Sequence, residues 1–340
     1  MNNDEEEKKL KEKQELDPVL KKAQDIWNKD FKNDIWAKWS YNDIFEKLKS
    51  KIPNNNLQLV SGLDIKPKLD HKNPPFVIKL NNSDNKLELP FGKVWPISSE
   101  TKYNDNEATS IGYTADGKIE QFRPSTNKVP QHLPKFISSL GSAFLDSKQE
   151  KIENLDKWDT SNISNFSAVF SNANKFNHDI SSWKTDSALS MAEMFASATN
   201  FNQNISKWNT SNVTDMEGMF WEAENFNQNL NSWNVKKVKS MNNMFSGAGK
   251  FDSDLDKWEP KSLRSVYGMF ANSKFNRSLK SWERHFSEKF LNAQYFRKNA
   301  ILEDDKLPET IIKSVKYFEE QEKKQVTIKN KLEQKNGPVH

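Results

Sequence analysis

The stretch "FNQNISKWNTSNVTDMEGMF", residues 201–220, sets one Trp, two Met and two Phe in a background dominated by Asn, Ser and Thr. It decides the fold because it returns. Trp158, Trp183, Trp208, Trp233 and Trp258 are spaced by 25, and Trp282 follows after 24. Phe170, Phe195, Phe220, Phe245 and Phe270 keep the same period. So do Phe176, Phe201, Phe226 and Phe251, with Phe275 one residue early, and Ile180, Ile205, Leu230 and Leu255, with Leu279 likewise. Met194, Met219, Met244 and Met269 directly precede the periodic Phe, and Met191, Met216 and Met241 stand three residues earlier. A period in this range is the signature of a repeat array.

Each unit reads F-N-x-x-[IL]-x-x-W, a polar linker, then V-x-x-M-x-x-M-F-x-x-A. In the second half Val213, Met216, Met219, Phe220 and Ala223 form a helix-like stripe, preceded by residues of capping type at Ser161, Asp186 and Ser211. Residues around Ile205 to Trp208 are too few for a helix and predict a short strand. Such a unit cannot bury its apolar face alone, so stacking into a right-handed β/α solenoid of 25-residue leucine-rich-like repeats is expected. The column Asn177, Asn202, Asn227, Asp252 and Asn276 is expected inside the stack, as a ladder satisfying turn backbone groups. Both ends decay as caps: Lys151 and Ile152 replace the Phe-Asn pair before Trp158, while Phe290 takes the first Met position after Trp282 and Gln294 the periodic Phe.

The chain has 340 residues, more than the ~100–200 of one domain. Its 35% hydrophobic content lies below the ~45–50% of average chains, which suits a narrow core built from large aromatics. The expected organisation is a disordered tail over 1–16, amphipathic helices over 17–52, a small α+β domain over 53–135, the repeat solenoid with degenerate caps over 136–296, and a C-terminal helix and tail over 297–340. The fold class is thus an α+β N-terminal region followed by the solenoid. Trp27, Trp36 and Trp39 could form a membrane or partner face, although packing on the domain behind them is favoured. Asp116-Gly117 predicts a hairpin turn. Helix residues Ile311, Ile312, Val315, Phe318 and Val326 are candidates for an apolar side.

Net charge is +4, and charges alternate in sign, as in "KKLKEKQELD" at 8–17, so the pattern is a solvated surface and not a nucleic-acid stripe. With no Cys there is no disulfide, thiolate metal site or thiol catalysis. The histidines at 71, 132, 178, 285 and 340 keep no metal-ligand spacing, and no Gly-rich phosphate loop occurs. Asp179 and Asp254 share a column with Asn204 and Asn229, which reads as a hydrogen-bonding ladder in preference to a calcium ladder. No catalytic residue, cofactor or metal is expected. The candidate ligand contacts are Trp183, Trp208, Trp233 and Trp258: exposed, they would be a stacking platform for sugar rings, and buried, part of the core. Their register with the Phe and Ile/Leu columns favours the core.

The columns at 201–220, with the lead-in "SIGYTADGKIEQFRPSTNKVPQHLPKFISSLGSAF" at 110–144, resemble the 25-residue BspA-like leucine-rich-type repeats of mycoplasma surface lipoproteins. The resemblance implies export, a lipid anchor and display at the extracellular cell surface, with adhesion or host contact as the role. This chain carries no lipobox Cys. Together these readings lead to a non-enzymatic surface recognition protein that binds a host extracellular protein or glycan through a solenoid face. The alternatives are a carbohydrate-binding module using the Trp row, or a structural surface-coat lipoprotein.

Overall fold

Asp17 and Pro18 open the first helix as their chemistry demands: the Asp17 carboxylate accepts from the Val19 amide at 2.8 Å, and proline occupies a position whose amide needs no partner. In the computed structural model, which describes residues 16–69, 72–287 and 291–336, helix α1 spans Pro18–Ile26 and runs into a π-helical turn, Trp27–Phe31. The tail expected over 1–16 therefore lies almost wholly outside the described residues. Strand β1 is Ile35–Trp36, and helix α2, Tyr41–Ser50, starts with a capping box between Ser40 and Asp43. Strands β2 (Leu57–Leu59), β3 (Phe76–Leu80) and β4 (Lys86–Leu89) form an antiparallel sheet in that order, while β5 (Val94–Trp95) pairs in parallel with β1. Buried Trp27 ties these elements together, stacking on Phe76 at 4.9 Å and donating its indole N–H to the Pro90 carbonyl at 2.9 Å.

The chain divides into two units. The first ends at Ser99 and includes Pro134–Phe136; the second takes Glu100–Leu133 and everything from Ile137 onward. Two of the expected boundaries change accordingly. Residues 17–52 and the strands up to 95 share a single core, in which Leu20, Ala23, Ile44 and Leu48 of the two helices cluster with Leu57, Phe76, Ile78 and Val94 of the strands. Residues 100–133 go with the repeats, because their backbone groups pair there: Glu107 bridges Lys128, Lys128 bridges Glu153, and Lys118 bridges Ser139, all in parallel. This segment contains the hairpin β6 (Tyr103–Asn104) and β7 (Glu107–Ala108), and Gly117 takes the left-handed turn position between Tyr113 and Ile119. Trp27 and Trp36 are buried in the first unit, and half-buried Trp39 packs edge-on to Phe136.

From Ser139 onward the chain climbs in coils joined by parallel bridges, Ser139 to Asn165, Ser190, Asp215, Ser240, Ser265 and Asn292. Among the described residues of the repeats there is no α-helix and no strand, only short 3-10 turns at Leu155–Lys157 and Lys280–His285, contrary to expectation. The reason is a column of left-handed residues: Ala168, Glu193, Gly218, Asn243 and Gly268 have φ between +52 and +59°, and Asn172, Ser197, Glu222, Gly247 and Asn272 form a second column at +54 to +72°. Backbone polarity therefore splits in alternation. The N–H groups of Met191, Glu193, Phe195 and Ser197 donate to the next coil, at the carbonyls of Asp215, Glu217, Met219 and Trp221, over 2.6–3.0 Å. Between them Met194, Ala196 and Ala198 donate three residues back within their own coil. Each amide is satisfied without a helix. Ser161 and Ser211, expected as helix caps, instead close Asx turns on Asp159 and Asn209.

The apolar columns meet inside. Phe195 stacks on Phe220 at 5.7 Å, and that on Phe245 at 5.6 Å; each also lies against the second Phe column, Phe220 against Phe226 at 4.0 Å. Phe176, Ile180, Met194, Phe195, Phe201, Ile205, Met216, Met219, Phe220, Phe226, Leu230, Met241, Met244, Phe245, Phe251, Leu255, Met269 and Phe270 are all fully buried. Phe122 extends the column upstream by stacking on Phe144 at 4.9 Å, which is why the array begins earlier than residue 136.

At the other end the register slips. Val266, Gly268 and Phe270 donate to Asn292, Gln294 and Phe296, so Ala293 stands in the first Met column and Arg297, not Gln294, in the periodic Phe column. Phe290 lies outside the described residues. Helix α3, Glu309–Asn336, covers this last coil with Ile311, Ser314 and Val315, and Ser314 accepts from the Leu291 amide. Val326, a candidate for its apolar side, is 57% exposed. No helix among the described residues is long and apolar enough to cross a membrane.

Candidate functional site

The Trp row is not a surface. Trp183, Trp208, Trp233 and Trp258 are 3%, 4%, 3% and 0% exposed, and each indole N–H donates to a carbonyl of the preceding coil: Leu155, Ile180, Ile205 and Leu230, over 2.8–3.4 Å. A ring held by its polar edge inside the stack offers no face to a sugar, so the stacking-platform reading of these residues is overturned.

The Asn column departs from expectation in the opposite direction. Asn177, Asn202, Asn227, Asp252 and Asn276 do form a ladder, each side-chain oxygen accepting the backbone N–H of the next member over 2.9–3.0 Å. That ladder runs along the outside, with every member exposed or half-buried. The internal polar tie is instead made by Thr160, Thr185 and Thr210, buried hydroxyls that donate to the Lys184, Asn209 and Asn234 carbonyls over 2.9–3.1 Å. Asp179, Asn204 and Asn229 make no inter-coil ladder either; each accepts from the amide two residues on and closes its own turn.

Beside the Asn ladder runs an open groove of about 740 Å³. One side is Asn177, Asn202 and Asn227; the other is Asn200 and Asn225, with Lys175 and Lys250 at the two ends and Glu150 beyond Lys175. Coil geometry builds it: Asn200 is the last residue of one coil and Asn202 the second of the next, flanking buried Phe201. The amide orientation of the ladder residues follows from their bonds. Because the Oδ1 atoms of Asn177 and Asn202 accept both a backbone N–H and, at 3.0 and 2.9 Å, the side-chain amide of Gln203 or Gln228, their Nδ2 groups are turned away from the ladder. Among the described residues no hydrogen bond engages Nδ2 of Asn177, Asn200, Asn202 or Asn227, nor does an ion pair engage Lys175 or Lys250. Asn225 Nδ2 is spent on Asn200 Oδ1 at 3.3 Å, so the lining combines four unengaged side-chain amide nitrogens with a cation at each end.

Elsewhere the polar groups serve the fold. His178 accepts the Ile152 N–H on Nδ1 at 3.1 Å, and burial, partly opposed by Asp156, holds its imidazole below the ordinary value. His285 accepts from the Arg284 guanidinium. His71 and His340 lie outside the described residues. Burial pushes the Tyr41 hydroxyl up to about 12, and the Tyr113 hydroxyl upward as well. Asp156 pairs with Lys157 at 2.8 Å, a surface contact. Among the described residues no three His, Asp or Glu side chains converge as metal ligands would.

No curated protein and no solved structure matches the chain. The coils themselves do have relatives: residues 138–240 and 204–304 match the family described as Mycoplasma protein of unknown function, DUF285.

Proposed function

We propose that this chain is a non-enzymatic recognition protein of the extracellular cell surface, a right-handed solenoid that contacts a host macromolecule through its Asn-lined groove. The observation that carries the reading is the row of unengaged side-chain amides, repeated coil after coil on a rigid support. The Oδ1 atoms of this column tie coil to coil, which fixes the side chains and leaves their Nδ2 groups as donors at a regular spacing, and such preorganised donors lower the ordering cost of binding an extended partner. The similarity of the coils to a Mycoplasma family supports display at a cell surface.

The test uses the purified chain against a panel of host matrix proteins, immunoglobulins and glycans. Its companion is the double variant Asn200→Glu with Asn225→Glu, chosen because Glu150 already occupies that column. Binding to a panel member that the double variant loses supports the groove as the contact surface. Binding that survives the substitution sinks it, and a null result across the panel favours a structural surface coat.

A further inference from the structure

We infer that the groove takes a linear anionic glycan carrying spaced carboxylates, laid along the stack axis. This rests on the reading of the groove as the contact surface and adds the chemistry of what fills it.

The donor and acceptor balance comes first. Ladder oxygens are spent on the fold, since Asn177 and Asn202 each accept two hydrogen bonds and Asn227 accepts from the Asp252 amide and the Ser253 hydroxyl. What remains is mainly N–H. A partner must therefore be rich in acceptors, which sugar hydroxyl, ring and carboxylate oxygens are, whereas an extended peptide brings one backbone donor for every acceptor. The groove also has no apolar pocket: its lining is Asn, Lys and Glu throughout, so alternating peptide side chains find nothing to fill.

Charge then selects among glycans. Lys175 and Lys250 belong to one column and stand three coil steps apart, each step 5.6–5.7 Å by the stacked phenyl rings. Between them the floor is uncharged. Two cations with an amide floor between them suit a chain whose charges are separated by neutral sugars; a polymer charged on every unit would leave anions unpaired over Asn200 and Asn225. Glu150 closes one end to further anions.

The fold supplies its own control. Asp252 sits in the ladder column, where its Oδ1 accepts the Asn276 amide at 2.9 Å and its Oδ2 pairs with Arg277 at 3.1 Å, so a carboxylate in that column can keep the ladder bond while replacing the outward donor by a charge. The experiment measures binding of a hyaluronan octasaccharide, a maltooctaose and poly-L-glutamate to the full chain by calorimetry. Hyaluronan should bind, weaken with added salt, and lose at least about tenfold in affinity in Asn202→Asp with Asn227→Asp and in Lys175→Gln with Lys250→Gln, at unchanged melting temperature. Maltooctaose binding equal to hyaluronan overturns the charge requirement, and preference for poly-L-glutamate overturns the glycan. Failure of all three probes sinks this inference. If some panel macromolecule meanwhile binds and is lost in the groove variants, the groove reading survives; if its binding ignores them, both fall.

Discussion

Gly268 and Gly218 share the first left-handed column, yet alanine should cost more at one than at the other. Gly218 has φ of +58°, and a Cβ added there meets the flexible Cγ of Glu193 at 3.2 Å. The substitution then pays chiefly for an L-residue in left-handed backbone, roughly 1–2 kcal/mol, offset by the lower chain entropy of alanine when unfolded, so about 1 kcal/mol is expected. Gly268 has φ of +59°, and its added Cβ would lie 2.4 Å from Oδ1 of Asn243 in the coil below. That contact cannot stand. Moving Asn243 from its rotamer adds about 1 kcal/mol, for a total of about 2 kcal/mol. Removing the obstacle should remove the excess: in an Asn243→Ala background, Gly268→Ala should fall back to about 1 kcal/mol, a coupling within the usual range for contacting residues. Thermal unfolding of the four-variant cycle by calorimetry reads this directly, at about 2–4 °C per kcal/mol for a unit of this size. Equal losses at the two glycines, or no relief in the Asn243→Ala background, would refute the contact between neighbouring coils at Gly268 and Asn243 as the source of the excess.

Three further outcomes follow from the same packing. Trp208→Phe should destabilise by about 1–3 kcal/mol through the unpaired Ile180 carbonyl, and Trp208→Ala by about 3–5 kcal/mol, with denaturation midpoints as the measure; a neutral Trp208→Ala would mean the indole is not core. His178 is held neutral, so the unfolded chain binds more protons below its ordinary value of 6.5; array stability should drop as pH falls from 6.5 to the lower folded value, and His178→Gln should flatten that slope in melts taken across the window. Burial alone would raise the Asp30 carboxyl, but Lys135 at 2.6 Å and Lys51 at 3.2 Å hold it below 3.8, so its contribution is present above that value and lost as pH falls through the folded one. Lys135→Met should therefore lower the stability of the first unit at neutral pH and flatten its further loss below 3.8, read from denaturation midpoints taken on both sides of that value.

The period told which residues recur, and burial followed for every apolar column because a stack has no other place to put them. It did not tell the backbone path. Apolar residues three and four apart, as at Val213, Met216, Met219, Phe220 and Ala223, serve a helix or a run of three-residue turns equally well. Only the φ of residues such as Glu193 and Asn243 separates the two, and nothing in an exposed Glu announces a left-handed backbone. The boundary at 135 failed for a related reason. The apolar period is legible only from about residue 140, while Lys128 and Lys118 carry the backbone bridges that join 100–133 to the coils, and a bridge made by backbone groups leaves no mark on residue type.

The site was more legible than the reading made of it. Where a coil runs extended, neighbouring residues point to opposite sides. Phe201 is buried, so Asn202 must face out; Trp208 is buried, so Thr210, two residues on, must face in. The polar residue inside the stack was therefore the Thr of W-[ND]-T, and the Asn of F-N belonged to the surface. An outward column of amides has no reason to repeat for the sake of the core. It repeats because its oxygen is needed to tie each coil to the next, and that tie is what leaves its nitrogen without a partner in the stack.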